Sequence, residues 1–272
     1  MPSADHPVGN YNFGTGALKR IYRSNTGSTT TDYQFVAEVS FATITYNDTI
    51  PSAELGEVLP SGTWVGPPDD DSALYPDGPL QGLVMVANGV MAGFTGNRLC
   101  LSEPYLPHAW PVEHRKTLEY DIVGIAPTST GVVCMTKGTP YFVTGVDPSS
   151  MAAAKVPLLQ PCINAVSIVD MGEYALYAGA DGLCKVGGGD AEVVTQGVIS
   201  PAQWLNSFKA ATYKAYKHED TYVAFWTNGA EYGGFVFDPR SAESAISTLT
   251  CSAEVRGGWT NPVDGKTYVI VG

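Results

Sequence analysis

Positive charge is what this chain has least of. Lysine and arginine number 15 against 27 aspartates and glutamates in 272 residues, a formal net charge of −12. A surface that neutralises phosphates needs a basic stripe. None is present, which argues against sequence-independent binding of nucleic acid. Adsorption to an anionic membrane is disfavoured on the same ground. No run of 18 apolar residues exists, so no segment reads as a membrane-spanning helix. The first residues, MPSADHPVGNYNFG, lack the apolar core of a secretory signal.

Metal-ligand and nucleotide motifs are missing too. The four histidines, His6, His108, His114 and His218, form no H-x-x-x-H or H-E-x-x-H pair, so zinc has little support. No P-loop, G-x-G-x-x-G or G-x-S-x-G occurs. The Gly187–Gly189 triplet leads into a strand-like run, not a helix, and reads as a turn. Asp69, Asp70 and Asp71 sit in PPDDDSALYPDG, which lacks calcium-loop spacing and reads as a solvated loop. The five cysteines, at 100, 134, 162, 184 and 251, are odd in number and never C-x-x-C. They read as buried, reduced thiols in a protein assembled in a cytoplasm. No cofactor, metal or catalytic residue is assigned.

Helical periodicity is rare. Two short candidates stand out, SSMAAAKV near 149–156 and PAQWLNSFKAAT near 201–212. What fills the chain instead is strand: short β-branched or aromatic runs bounded by turn residues, with 44% apolar content and 30 glycines. The runs come in pairs. GVMAGF-TGN-RLCLSE starts at Gly89, GVVCMT-KGT-PYFVTG at Gly131, GEYALYAG-ADG-LCKVGG at Gly172 and DTYVAFW-TNGAEYG-GFVFDP at Asp220. DGKTYVIVG, from Asp264, reads as the first strand of another pair. The starts lie ~40–48 residues apart. A weaker strand precedes each pair: GLVMVA, DIVGIA, AVSIVD, KAYKH. Three or four strands per unit at this period predict β-propeller blades. A single blade cannot bury both its faces, so its neighbours must cover them.

Domain organisation follows from these breaks. Residues 1–60 read as a small or partial fibronectin-like β-sandwich segment, whose strands include KRIYRS, YQFVAEV and TITYNDT. Residues 61–82, rich in Pro, Gly and Asp, read as a linker. Residues 83–272 are the propeller-like body. The fold class is all-β.

The densest chemistry lies in GNRLCLSEPYLPHAWP, residues 96–111. Ser102, Glu103, His108 and Cys100 are the parts of a nucleophilic site. The alternation of Leu99 and Leu101 against Arg98, Cys100 and Ser102 instead predicts the second strand of a hairpin closed at Thr95-Gly96-Asn97. Pro104, Pro107 and Pro111 then keep the next segment out of any ladder. The favoured reading is a stiff blade-to-blade crossover in which Tyr105 and Trp110 anchor against the next blade. Arg98, Glu103, Tyr105, His108 and Trp110 are the structural or interface candidates.

The same stretch carries a family resemblance. With GTPYFVTGVDPSSM at 138–151 and VDMGEYALYAGADGL at 169–183, SEPYLPHAWP resembles tail nozzle virion proteins of the tail tubular protein B type, from short-tailed phages and prophages. The likeness runs from about Ala17 onward. It implies a non-enzymatic structural protein of the virion tail, assembled in the bacterial host cytoplasm and acting in host cell entry. Partners would be other copies in a homo-oligomeric ring, usually six-fold, and neighbouring tail proteins. DNA would pass along the axis as cargo, and an acidic wall does not trap it. Family members generally run longer on both sides, so the blade count stays open.

A second reading is a carbohydrate-binding or carbohydrate-active propeller, with Tyr105, His108 and Trp110 as a sugar-stacking edge. GADGL at 179–183 is the nearest approach to the S-x-D-x-G-x-T-W turns of sialidase-type propellers, and it lacks the Ser, Thr and Trp. A WD40-type scaffold lacks its repeated W-D and G-H dipeptides.

Overall fold

The computed structural model describes residues 16–26, 31–59, 65–187, 190–240, 246–261 and 263–272. The chain divides into two compact units, Met1–Trp64 and Val65–Gly272.

The described part of the first unit is built on one antiparallel hairpin, β1 (Leu18–Thr26) and β2 (Thr31–Ser40), with a bulge at Ile21/Tyr22. Tyr22 opposes Phe35, and their rings meet edge to face at 5.7 Å. Residues 41–59 add a single bridge, Gln34 with Val58, rather than the strand expected at TITYNDT. Arg23 explains part of that. Its guanidinium reaches Asp48 and the Ile50 carbonyl, both at 2.8 Å, and holds the segment by side chain instead of by ladder.

The second unit is a succession of antiparallel meanders. Blade A contains β3 (Gln81–Met85), β4 (Met91–Thr95), β5 (Arg98–Leu101) and β6 (Lys116–Thr117). Blade B contains β7 (Ile122–Thr128), β8 (Gly131–Thr136), β9 (Tyr141–Thr144) and β10 (Ala152–Lys155). Blade C contains β11 (Val169–Asp170), β12 (Tyr174–Ala178), β13 (Leu183–Gly187) and β14 (Asp190–Val193). Blade D contains β15 (Lys214–His218), β16 (Thr221–Thr227), β17 (Tyr232–Phe237) and β18 (Ile246–Thr250). A two-stranded sheet follows, β19 (Val255–Thr260) with β20 (Thr267–Val271). Each first strand lies beside the first strand of the next sheet: β3 by β7, β7 by β11, β11 by β15, β15 by β19. This is the arrangement of propeller blades, and the fold is an all-β propeller.

The blade period works through alternation. On β8, Val132 and Cys134 belong to the core shared with blade A, whereas Val133 and Met135 belong to the core shared with blade C. On β12, Ala175 and Tyr177 face blade B, and Leu176 and Ala178 face blade D. Successive side chains point to opposite faces, and both faces are covered, so these strands read as unbroken apolar runs. The C–D core is aromatic. Trp204, on the short helix α1 (Pro201–Asn206), meets Tyr213 at 5.3 Å and Phe235 at 6.1 Å, all three fully buried.

Two local expectations are corrected. The small-residue run SSMAAAKV is not a helix; Ala152–Lys155 is β10, the outer strand of blade B, paired residue for residue with β9. Alanine's helix propensity is worth only tenths of a kcal/mol per residue, and an available sheet edge outweighs it. The Pro/Gly/Asp stretch is not a free linker over its described residues. Leu80 fills the space over Gly93, where a Cβ would stand 2.7 Å from the leucine Cγ, and Gly78 accepts a hydrogen bond from Thr95 at 2.8 Å. Residues 65–80 therefore cover the outer face of blade A, and β3 itself begins at Gln81. Asp69 and Asp71 spend carboxylate oxygens on the backbone amides of Asp71 and Ala73. Of the Gly187–Gly189 triplet, Gly188 and Gly189 lie outside the described residues.

Candidate functional site

The sequence points first to residues 96–111, and their geometry departs from a crossover. Gly96, at φ 54°, closes the β4–β5 turn as expected. The chain then returns to its own blade. Ser102 pairs its backbone amide with the Met91 carbonyl, and Leu106 donates to Glu103 in a tight turn with Tyr105 at its left-handed position, φ 59°. That reversal brings Lys116–Thr117 back beside Leu99 and Arg98. The step to blade B comes only afterwards, through the short segment before Ile122.

The candidate residues separate. Trp110 is 2% exposed; its indole nitrogen donates to the Pro107 carbonyl at 2.9 Å and its amide to Val65 at 2.7 Å. It is an anchor, but within blade A and its covering segment, and its face is unavailable for stacking a sugar. Tyr105 is 77% exposed and lies over Gly89 instead of against the next blade. Arg98 pairs with Asp77 at 2.7 Å, tying β5 to the covering segment. His108 is exposed, and Glu103 is half-buried with its backbone in the turn.

No nucleophile is poised here. Ser102 is fully buried, accepting from the Met91 amide and donating to the Glu103 carbonyl, both at 2.9 Å. Burial pushes the Cys100 thiol up to about 11 against the opposing pull of Arg115 and Arg98. Cys162 and Cys184 are pushed up to about 12, and Cys134 higher still, by the same desolvation. Thiols held in this way are inert. All five cysteines are free, four of them buried. Arg115 lies 5.5 Å from the Tyr75 ring centroid, with Nε and Nη2 buried and unpaired among the described residues.

A second feature was only partly legible: the two-stranded sheet β19–β20 that follows blade D. One face of β19–β20 packs on β15. Gly258 sits where a Cβ would stand 2.9 Å from the Tyr216 ring, Thr260 donates to the Lys217 carbonyl at 2.9 Å, and Thr267 pairs with His218 at 2.9 Å. The opposite face carries Trp259, Tyr268 and Ile270, which are 59%, 50% and 68% exposed. Trp259 and Tyr268 stack at 6.2 Å with a 26° tilt. Among the described residues no strand pairs with the outer edge of β20, and the strand Thr267–Val271 carries no charge.

No family model matches the chain, and no curated protein matches it. Solved structures do. The chain is similar to YCF48 from Cyanidioschyzon merolae, at 11% identity and a TM-score of 0.46, over 71% of this chain and 64% of that one. It is also similar to the tricorn protease, at 12% identity and a TM-score of 0.41, over 76% of this chain and 19% of that one. Both neighbours are β-propellers. The chain spans less than two thirds of either.

Proposed function

We propose that this protein is a structural component of a phage or prophage tail, acting by self-assembly and by contacts with neighbouring tail proteins. The observation that supports the reading is the apolar face that β19–β20 presents among the described residues. Here Trp259, Tyr268 and Ile270 stand in solvent, and contiguous apolar surface of this kind marks an interaction site. The buried Ser102 hydroxyl and Cys100 thiol favour a role by shape over one by chemistry. The tail assignment rests on the resemblance carried by SEPYLPHAWP and its companion stretches.

The test is assembly. Light scattering on size-exclusion fractions should find an oligomer whose mass depends on concentration, and Trp259→Ser with Ile270→Lys should hold the chain monomeric. Immunogold labelling should locate the protein in tails of purified particles. A strict monomer that is absent from particles would refute the reading.

A further inference from the structure

Three buried polar side chains spend hydrogen bonds on one surface turn and the strand residue that follows it, Gly179–Leu183, between β12 and β13. Gln160, 8% exposed, donates from Nε2 to the Asp181 carboxylate at 2.7 Å and accepts from the Asp181 amide at 3.0 Å. Trp204, fully buried, donates from its indole nitrogen to the Gly179 carbonyl at 2.9 Å. Thr195, fully buried, accepts from the Leu183 amide at 3.0 Å. The glycines make this approach feasible. A Cβ on Gly182 would stand 2.3 Å from the Thr195 hydroxyl, and one on Gly179 would stand 3.0 Å from Gln160 Oε1. Thr195 also begins the neighbouring turn, since its carbonyl accepts from the amides of Val198 and Ile199. The two turns are thus locked to each other through side chains removed from solvent.

Between them lies an open cleft of about 630 Å³, within the size range of small-ligand sites. Three polar groups on its wall have no protein partner among the described residues. They are Asp181 Oδ1, the side-chain amide of Gln196, and Gln203 Nε2, whose Oε1 is already taken by Ser200. Val198, 53% exposed, and Pro201 supply an apolar strip alongside.

We infer that this cleft binds a neutral, hydroxyl-rich ligand, namely the sugar units of a glycan. The wall offers one fixed acceptor and two amides. That set suits hydroxyl groups, which both donate and accept. An anion would face Asp181 and a molecule of net charge −12. A hard cation needs several oxygen ligands, and one carboxylate does not make a cage. The apolar strip fits the C–H face of a sugar ring. Preorganisation by Gln160, Thr195 and Trp204 lowers the ordering cost of binding. The site lies away from Tyr105, His108 and Trp110, and it does not depend on an assembly role.

The experiment is an array of neutral hexose, deoxyhexose and N-acetylhexosamine oligosaccharides probed with the full chain, followed by calorimetric titration of the best binder. Asp181→Asn keeps an oxygen for Gln160 Nε2 but presents an amide donor to the cleft. It should weaken binding at least about tenfold, with an unchanged melting temperature. Gln196→Ala, on an exposed turn, should weaken binding several-fold. A silent array overturns the inference. So does glycan binding that both variants leave intact, or that only Tyr105→Ala removes.

Discussion

The ring of Tyr105 lies so close over Gly89 that a Cβ on the glycine would stand 2.4 Å from the ring carbon Cδ1. Gly89 also has φ 68°, and its carbonyl accepts the Tyr105 amide at 2.8 Å. Gly89→Ala therefore meets both backbone strain and a clash. A loss of about 1–3 kcal/mol in urea unfolding is expected. Gly197, at φ 85° with no atom within 4 Å of where a Cβ would stand, bears the strain alone. Gly197→Ala should cost less, and Tyr105→Ala should restore part of the Gly89→Ala loss.

Trp204 joins packing to a hydrogen bond. It is fully buried against Tyr213 and Phe235 while holding Gly179. Trp204→Ala should cost about 3–5 kcal/mol. Trp204→Phe keeps most of the packing but orphans the Gly179 carbonyl, at about 1–3 kcal/mol. Chemical denaturation monitored by circular dichroism separates the two.

Asn164 ties the approach of blade C to that of blade D. Its Nδ2 donates to the Tyr213 carbonyl at 2.7 Å and the Ala211 carbonyl at 3.2 Å, and its Oδ1 accepts from Val166 at 3.0 Å. Asn164→Ala should lose about 1–3 kcal/mol. Asn164→Asp should lose more, because a carboxylate would face two carbonyl oxygens. Melting temperatures of the two variants provide the comparison.

Alkaline pH should destabilise the fold. Burial raises the Cys100, Cys134, Cys162 and Cys184 thiols above their ordinary value of 9.0, and it raises the Tyr177, Tyr213 and Tyr222 phenols above 10.0. Above pH 9 the unfolded chain sheds thiol protons that the folded chain retains, so stability falls as pH rises. Each thiol adds a slope of about 1.4 kcal/mol per pH unit. The Cys100 contribution is complete once pH passes about 11. Urea midpoints from pH 7 to 10.5 should fall steadily beyond 9. Native-state thiol labelling at pH 8 should be confined to Cys251, the one cysteine that is not buried.

The blade pairs were legible because they are local. KAYKH, TYVAFW and GGFVF each alternate or run apolar over a strand's length, and tight turns join them, so period and pairing can be read along the chain. Gly96-Asn97 closes its hairpin for the same reason. The Arg98–Arg115 stretch was harder. Its prolines correctly signal a segment outside the ladder, but they do not reveal that Tyr105 takes a left-handed turn back to the same blade. The cleft beside Gly179 was harder still. GADGL was visible as a turn, while Gln160 and Trp204, about 20 residues away on either side, carry no local mark of the bonds they make to it.

Sequence by itself determined the strand-rich class, the repeat near 40 to 48 residues and the burial of most cysteines, since all three follow from side-chain periodicity and composition. Tertiary structure alone decided the rest. It turned Ala152–Lys155 into an edge strand, laid residues 65–80 over blade A, buried Trp110 and left Trp259 in solvent. The physical reason is common to all four. Each outcome depends on which face a distant segment covers, and burial by non-local contact outweighs the tenths of a kcal/mol that local propensity supplies.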